Sequence, residues 1–518
     1  MYIINALNRA ARVAPNRVAS VHDGRTHSWS QVRDRVARLA HGLTRHGIRP
    51  GDRIAVLGWN SDRYLESALA VTWAGAVVVP LNTRLAPAEL MHLMKHSSVA
   101  ALLYDDDFAP VMRKASAELP SLRLLVSLGE GDPPSGVHSC EALVQDSTPA
   151  ESAICRPEDL QGIFYTGGTT GLPKGVMLSH GNLAHQTSLH VLDLGWSPDT
   201  SYLHVLPMFH LGGFTILHAL TSLAGTHHYM PRFELEPCLT LLADRRINAA
   251  ALGPVIIGWM LDYPHLSRLD LGALRHLAYG TAAISEPTLR RTVELLPKVE
   301  FTQIYGLSEI SGTMSVLRPK DHGLGASNKR LSSAGQASWG VDARVFDDEG
   351  RELPRGELGE IVARSPGVMM GYLDDPEQTA KALRGGWLYS GDVGYMDDEG
   401  YIFIVDRAKD MIVTGGENVF SAEVESAIAS YPGVAQVAVI AIPSEQWGEA
   451  VHAVVVASPG AALAPEAIIA HCRERIAGYK CPKSVEVRAD SLPLSGVNKV
   501  QKNVLREPYW RGRTRKVN

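Results

Sequence analysis

Residues 161–180 read QGIFYTGGTTGLPKGVMLSH. A strand-like apolar start runs into a loop holding Gly167, Gly168, Gly171 and Gly175, with Thr166, Thr169 and Thr170 among them and Lys174 near the end. Glycine lets successive backbone N–H groups turn inward around an anion, threonine adds hydroxyl donors, and lysine adds charge. The stretch reads as a phosphate-cradling loop. It has neither the GK[ST] of a Walker A loop nor the GxGxxG of a dinucleotide fold. A flexible Gly/Thr hairpin accounts for any five of these residues, but not for the whole run.

On the N-terminal side of this loop, helical and strand patterns alternate. Ser30–Arg45 places Val32, Val36, Leu39 and Leu43 at helical spacing, while Arg53–Gly58 and Ser98–Tyr104 are short apolar runs that read as buried strands. Asp105, Asp106 and Asp107 close the second run and read as a solvated turn. Such alternation favours layered α/β with mostly parallel sheet. Past residue 340 the character changes. Val341–Phe346, Gly359–Ala363, Trp387–Tyr389 and Gly400–Val405 are short strands between DDEG and RGELGE turns, which suits a barrel-like subdomain. After Asp406 a helix (Ser421–Ser430), two strands (Ala435–Ile442, Ala450–Ala457), a helix (Pro465–Ile476) and a strand (Ser484–Val487) make a small α+β unit. The expected division is therefore 1–406, with the barrel-like part at about 340–406, and 407–518.

The chain has 518 residues, 50 Lys+Arg, 55 Asp+Glu, a net charge of −5 and 45% apolar residues. That composition excludes disorder as the main character and nucleic-acid binding by bulk charge. Arg511, Arg513, Arg515 and Lys516 form a local basic tail that reads as a solvated terminus. Cys140, Cys155, Cys238, Cys472 and Cys481 form no CxxC pair, which argues for a reducing compartment. No leader pattern opens the chain. The apolar runs at 68–80 and 249–261 fall short of the ~18 residues of a membrane span. The expected location is cytoplasmic.

YTGGTTGLPKGV resembles the signature of the ANL adenylate-forming superfamily, in which Ser usually stands where this chain has Gly167. Further matches follow in the same order along the chain: AGAVVVPLNTRLAPAEL (74–90), LPMFHLGG (206–213), QIYGLSE (303–309), GELGE (356–360), YSGDVG (389–394), DRAKDMIVTGGENV (406–419) and SGVNKV (495–500). The resemblance covers nearly the whole chain and points to its acyl-CoA synthetase and aryl-CoA ligase branch. It implies a large layered α/β domain with a distorted β-barrel subdomain and a small mobile α+β domain. It also implies ATP, Mg²⁺ and coenzyme A as cofactors, and a monomer or homodimer that acts on a small carboxylic acid.

The resemblance assigns roles residue by residue. Thr166–Gly171 and Lys174 would hold the phosphates, and Thr170 with Glu309 the metal. Tyr305 offers a flat face for adenine, Ser308 a hydroxyl for the α-phosphate, and Asp392 a carboxylate for the ribose diol, which a two-oxygen acceptor suits. Arg407 would reach the ribose or phosphate. Gly280, Thr281, Ala282 and Ala283 would line the adenine and acyl pocket, beside Gln303. Lys499, where Asn498 replaces the usual glycine, would bridge carboxylate and α-phosphate during adenylation, with Lys502 as rival. Lys409 would be the hinge of a domain rotation that brings Gly415, Gly416 and Trp447 in for thiol attack. His210 would gate the substrate carboxylate.

The implied acyl pocket comprises Leu211–Ile216 (with Gly212 and Phe214), Gly253–Gly258 (with Val255), Tyr279, Gly280, Ile304, Gly306, Gly312 and Thr313. It contains no Arg, Lys, Asp or Glu, so the expected substrate is an apolar monocarboxylic acid, fatty, aryl or polycyclic. His180, His185 and His190 recur every five residues, about 140° apart on a helix, and so do not read as a metal set. Two alternatives stand beside the CoA ligase: an acyl-AMP ligase that loads a carrier protein, and a non-catalytic nucleotide-binding homologue.

Overall fold

The computed structural model describes residues 3–166, 173–244, 246–282, 284–325, 329–407, 410–414, 417–494 and 500–511. Its frame is two large, mostly parallel sheets of eight and nine strands with helices between and outside them. The apolar runs of the sequence explain this layering. In the strand Arg53–Leu57, Ile54 and Val56 join one core while Ala55 and Leu57 join another, so both faces of the sheet are covered. The inner core, between the sheets, takes Leu39 and Leu43 of helix Trp29–Arg45 and Phe214 and Leu217 of helix Leu211–Leu223. The outer face of the nine-stranded sheet packs Leu277, Tyr279 and Phe301 on helices Leu235–Ala243 and Pro254–Leu261. The order of layers is helix, sheet, helix, sheet, helix.

Within the nine-stranded sheet Ala249–Leu252, His276–Gly280 and Glu300–Tyr305 run parallel, so their C-terminal ends open on the same edge. In the eight-stranded sheet Leu160–Thr166 and Lys174–Ser179 form an antiparallel hairpin, paired to its last residues Thr166 and Lys174. The short strand Gly371–Tyr372 adds to the hairpin's free edge. A third sheet is antiparallel: Asp342–Phe346, Gly359–Arg364, Trp387–Met396 and Leu383–Arg384, with Ile402–Arg407 on Trp387–Met396. The expected barrel-like subdomain is this sheet. Its strand expected over Trp387–Tyr389 runs on to Met396, with irregular register on both sides of Asp392.

The small C-terminal domain has Gly448–Ala457 at the centre of its sheet, with Val434–Ser444 along one edge and Ser484–Arg488 and Ile412–Thr414 on its other side, the last paired to Glu417–Val419. Three of its elements went unread in the sequence: the short strands Ile412–Thr414 and Glu417–Val419 and the helix Lys502–Trp510, which carries Pro508 inside it. The Asp105–Asp107 turn is not simply solvated. Asp105 accepts the Trp59 backbone N–H at 2.6 Å, and burial pushes its carboxyl up to about 6. Asp107 accepts from the Trp59 indole at 2.8 Å and pairs with Arg232. The triplet ties a strand end to its neighbours. Among the described residues no helix is long and apolar enough to cross a membrane.

Candidate active site

The site gathers at the C-terminal ends of His276–Gly280 and Glu300–Tyr305, the usual edge for ligands in α/β sheets. Gly280 stands directly opposite Ile304, and a Cβ there would lie 2.4 Å from the Ile304 carbonyl oxygen. Only glycine lets these backbones approach so closely. At Gly306 a Cβ would lie 2.2 Å from the Gly312 carbonyl oxygen, which folds Tyr305–Thr313 into a tight return. Thr281, just past the strand, has φ of 67°, a region uncommon for a β-branched residue. Such strain collects at ligand-binding sites.

Two polar contacts cross between sheets here, and a third ties the hairpin to helix Pro376–Ala382. The Tyr305 hydroxyl donates to Asp392 Oδ2 at 2.6 Å. Asp392 is buried on its irregular strand opposite Arg407, and its own N–H donates to Ser390 Oγ. Such irregularities in a strand re-aim side chains near active sites. Glu309 lies in the short turn Ser308–Ile310, where the Tyr372 hydroxyl donates to its Oε1 at 2.8 Å. Burial first, and then Glu309, push the Tyr372 phenol well above its usual range, so it stays a proton donor. Lys174 lies 4.9 Å from the centre of the Tyr372 ring and donates to Gln378 Oε1 at 2.8 Å. Tyr372 and Gln378 were not anticipated. Their place comes from the pairing of Gly371–Tyr372 with the hairpin, for which the sequence holds no local signal.

His210 caps helix Leu211–Leu223, its Nδ1 accepting the Gly212 N–H at 3.2 Å. An accepting Nδ1 leaves the proton of a neutral ring on Nε2, ready to donate to a carboxylate. The acyl wall needs three corrections. Leu211 and Phe214 face the inner core, where Phe214 meets Phe164 at 5.1 Å between ring centres. Residues three apart share a helix face, so that stripe turns away from Ile216, Leu220 and Leu223. Tyr279 points to the opposite face of its sheet from Ile304, and its hydroxyl meets His322 Nε2 at 2.9 Å. Ile304 instead shares a cluster with Leu206, Ile216, Ala251 and Ala278. Gly253 caps helix Pro254–Leu261, and Val255 on its first turn is half-buried.

Lys502 is withdrawn as an adenylation candidate. Its ammonium donates to Ser421 Oγ at 2.6 Å and pairs with Glu425 at 2.7 Å, so it is committed inside the small domain. Lys499, Lys409, Gly415, Gly416, Gly167–Gly171 and Ala283 lie outside the described residues. Their flanks are placed: Leu494 bridges to Val500 across 495–499, and Thr414 pairs with Glu417 across 415–416. Thr414 also pairs with Gly448, next to Trp447, which is 44% exposed. Trp447 and the strand ends that flank 415–416 therefore share one end of the small sheet.

The AMP-binding enzyme family profile matches residues 7–373, and that of the AMP-binding enzyme C-terminal domain matches 423–499. The chain is 36% identical over 512 residues to the fatty acid–[acyl-carrier-protein] ligase ScoC of Streptomyces coeruleorubidus, covering 98% of this chain and 96% of that one. It is 37% identical over 503 residues to a feruloyl-CoA synthase of an Amycolatopsis species, covering 97% and 98%. The crystal structure of ATP-bound MatB from Rhodopseudomonas palustris superposes with a TM-score of 0.89 at 31% identity, covering 99% and 100%. With its sequence matching along almost the whole length, the chain belongs to the AMP-binding enzyme family, the ANL adenylate-forming superfamily in its acyl- and aryl-CoA ligase branch, and is an AMP-forming acid–thiol ligase.

Proposed function

We propose that the protein couples an apolar monocarboxylic acid to coenzyme A: acid and ATP give acyl-AMP and pyrophosphate, then acyl-AMP and CoA give acyl-CoA and AMP. The observation that carries this reading is the convergence of Lys174 from the hairpin, Glu309 from the turn after Glu300–Tyr305 and Asp392 from the third sheet, linked through Tyr372 and Tyr305. A carboxylate attacks a phosphate poorly because both are anionic, so the site's work is positioning and charge stabilisation. In this reading Asp392, held by Tyr305, takes the ribose diol, and the 166–174 loop takes the phosphates. His210 Nε2–H orients the carboxylate, and Lys499 joins carboxylate to α-phosphate.

Glu309 suits Mg²⁺. It is a hard carboxylate, and Mg²⁺ favours one or two of these together with substrate phosphates. With Thr170 it would hold the ion, which when bound supplies neutralising charge at the phosphates. The pivot between the half-reactions is placed at 406–410, between an N-terminal 1–406 and a C-terminal 407–518. Five free, buried cysteines fit a cytoplasmic setting.

A carrier-protein acceptor is the second reading, favoured by the likeness to ScoC. Against it, Tyr372 to Gly391 is a compact stretch holding only helix Pro376–Ala382, a short strand and the start of the next. The test is pyrophosphate release with a panel of acids, with CoA, with a phosphopantetheinylated carrier protein, and with neither. Thioester formed on CoA supports the proposal, and thioester formed only on the carrier overturns it. No pyrophosphate release with any acid would leave the non-catalytic reading.

A further inference from the structure

Helices His180–Asp193 and Leu211–Leu223 pack through a polar seam. Leu183, Gln186 and His190 form one stripe of the first helix, which Thr215 of the second helix meets at His190. His190 is buried, with its Nε2 3.0 Å from Thr313 Oγ1 and its ring against the Thr215 backbone. Thr215 in turn lies beside Gly312 on the acyl side of the site. One turn before His190, Gln186 is 1% exposed, and among the described residues neither its amide nitrogen nor its amide oxygen has a hydrogen-bond partner. His218 is fully buried, with neither ring nitrogen bonded among the described residues.

A primary amide carries two donors and an acceptor with two lone pairs, and burying it unsatisfied is costly. Nothing in the adenylation or thioester chemistry uses it. We propose that Gln186 is a specificity-determining residue whose amide hydrogen-bonds a neutral oxygen substituent, a hydroxyl or carbonyl, carried by the acid away from its carboxylate. This rests on the acid–CoA ligase reading and narrows it: the acid is apolar except for one uncharged oxygen function. A charged substituent is excluded, because the groups facing the seam are the neutral Gln186, Thr215 and Thr313 with His190 and His218. Burial holds both histidines uncharged, at about 4 and about 3.

The test compares kcat/KM for matched acids, 3-phenylpropanoate with 3-(4-hydroxyphenyl)propanoate and hexanoate with 5-oxohexanoate, in the native enzyme and in Gln186→Leu and Gln186→Met. A native preference for one oxygenated acid of at least tenfold, lost in either variant while turnover of its unsubstituted partner is kept, is the expected result. Equal changes for both members of each pair would assign Gln186 a packing role and overturn the proposal. If the native enzyme made no acyl-CoA from any acid, the ligase reading itself would fall. Should Gln186→Leu not fold, Gln186→Met, which keeps the unbranched shape, carries the comparison.

Discussion

At the scale of single residues, the site divides its labour between recognition and charge. Tyr305 donates to Asp392, and a hydrogen bond to a charged group contributes about 1.5–3 kcal/mol. Tyr305→Phe should therefore raise the KM for ATP roughly tenfold and leave kcat within about twofold. An unchanged KM would separate Asp392 from nucleotide binding. Lys499→Ala should lower acyl-AMP formation by about 10²-fold or more while sparing conversion of supplied acyl-AMP to thioester, because the proposed role places the lysine in one transition state only. Equal loss in both half-reactions would remove that assignment. Asp392, Glu309 and Lys174 were legible in the sequence because each sits in a compact motif. Tyr372 and Gln378 were not, because an aromatic after Gly371 has no role until the strand pairs with a hairpin some two hundred residues earlier.

At the scale of elements, the helix Lys502–Trp510 secures both sides of the proposed pivot. Lys502 ties Ser421 and Glu425, Arg506 pairs with Asp410 at 2.8 Å, and Asp406 accepts from Ser421. Lys502→Met would leave Glu425 buried without its cation, whose carboxyl burial already pushes up. It should cost about 2–3 kcal/mol, read as a lower unfolding midpoint in urea, since both side chains keep some contact with water. Lys409→Pro should act on motion instead. Proline fixes φ near −65°, so thioester formation should fall steeply while pyrophosphate exchange survives. Normal rates in both halves would move the pivot elsewhere. Helix positions were legible from apolar spacing, but which stripe faced the acyl group was not. Helix Leu211–Leu223 is apolar all round, and only the packing of two sheets against it separates Phe214 from Ile216.

At the scale of the whole molecule, buried histidines make stability depend on pH. Burial lowers His180 and His228 to about 4 and His204 to about 3, and His204 Nε2 lies 2.9 Å from His227 Nδ1 inside the core. Their folded values lie below the unfolded value near 6.5, so their contribution is fully present above it. It is lost as pH falls toward the folded values, at about 1.4 kcal/mol per pH unit for each histidine. The melting midpoint should be flat from pH 8 to 7 and drop steeply from 6 to 5, and a flat profile to pH 5 would show these rings already protonated in the fold. The meeting of three sheets at one small site has a different consequence. In the proposed reading Lys174 of the hairpin, Glu309 of the turn after Glu300–Tyr305 and Asp392 of the third sheet all hold the nucleotide, so a bound nucleotide is a strap across parts of the chain that otherwise meet mainly through side chains. AMP at a hundred times its Kd should add about 2.7 kcal/mol to the assembled state. It should also slow protease cleavage in the connections between the sheets, which would make nicking rate a direct gauge of site occupancy even with no acid present.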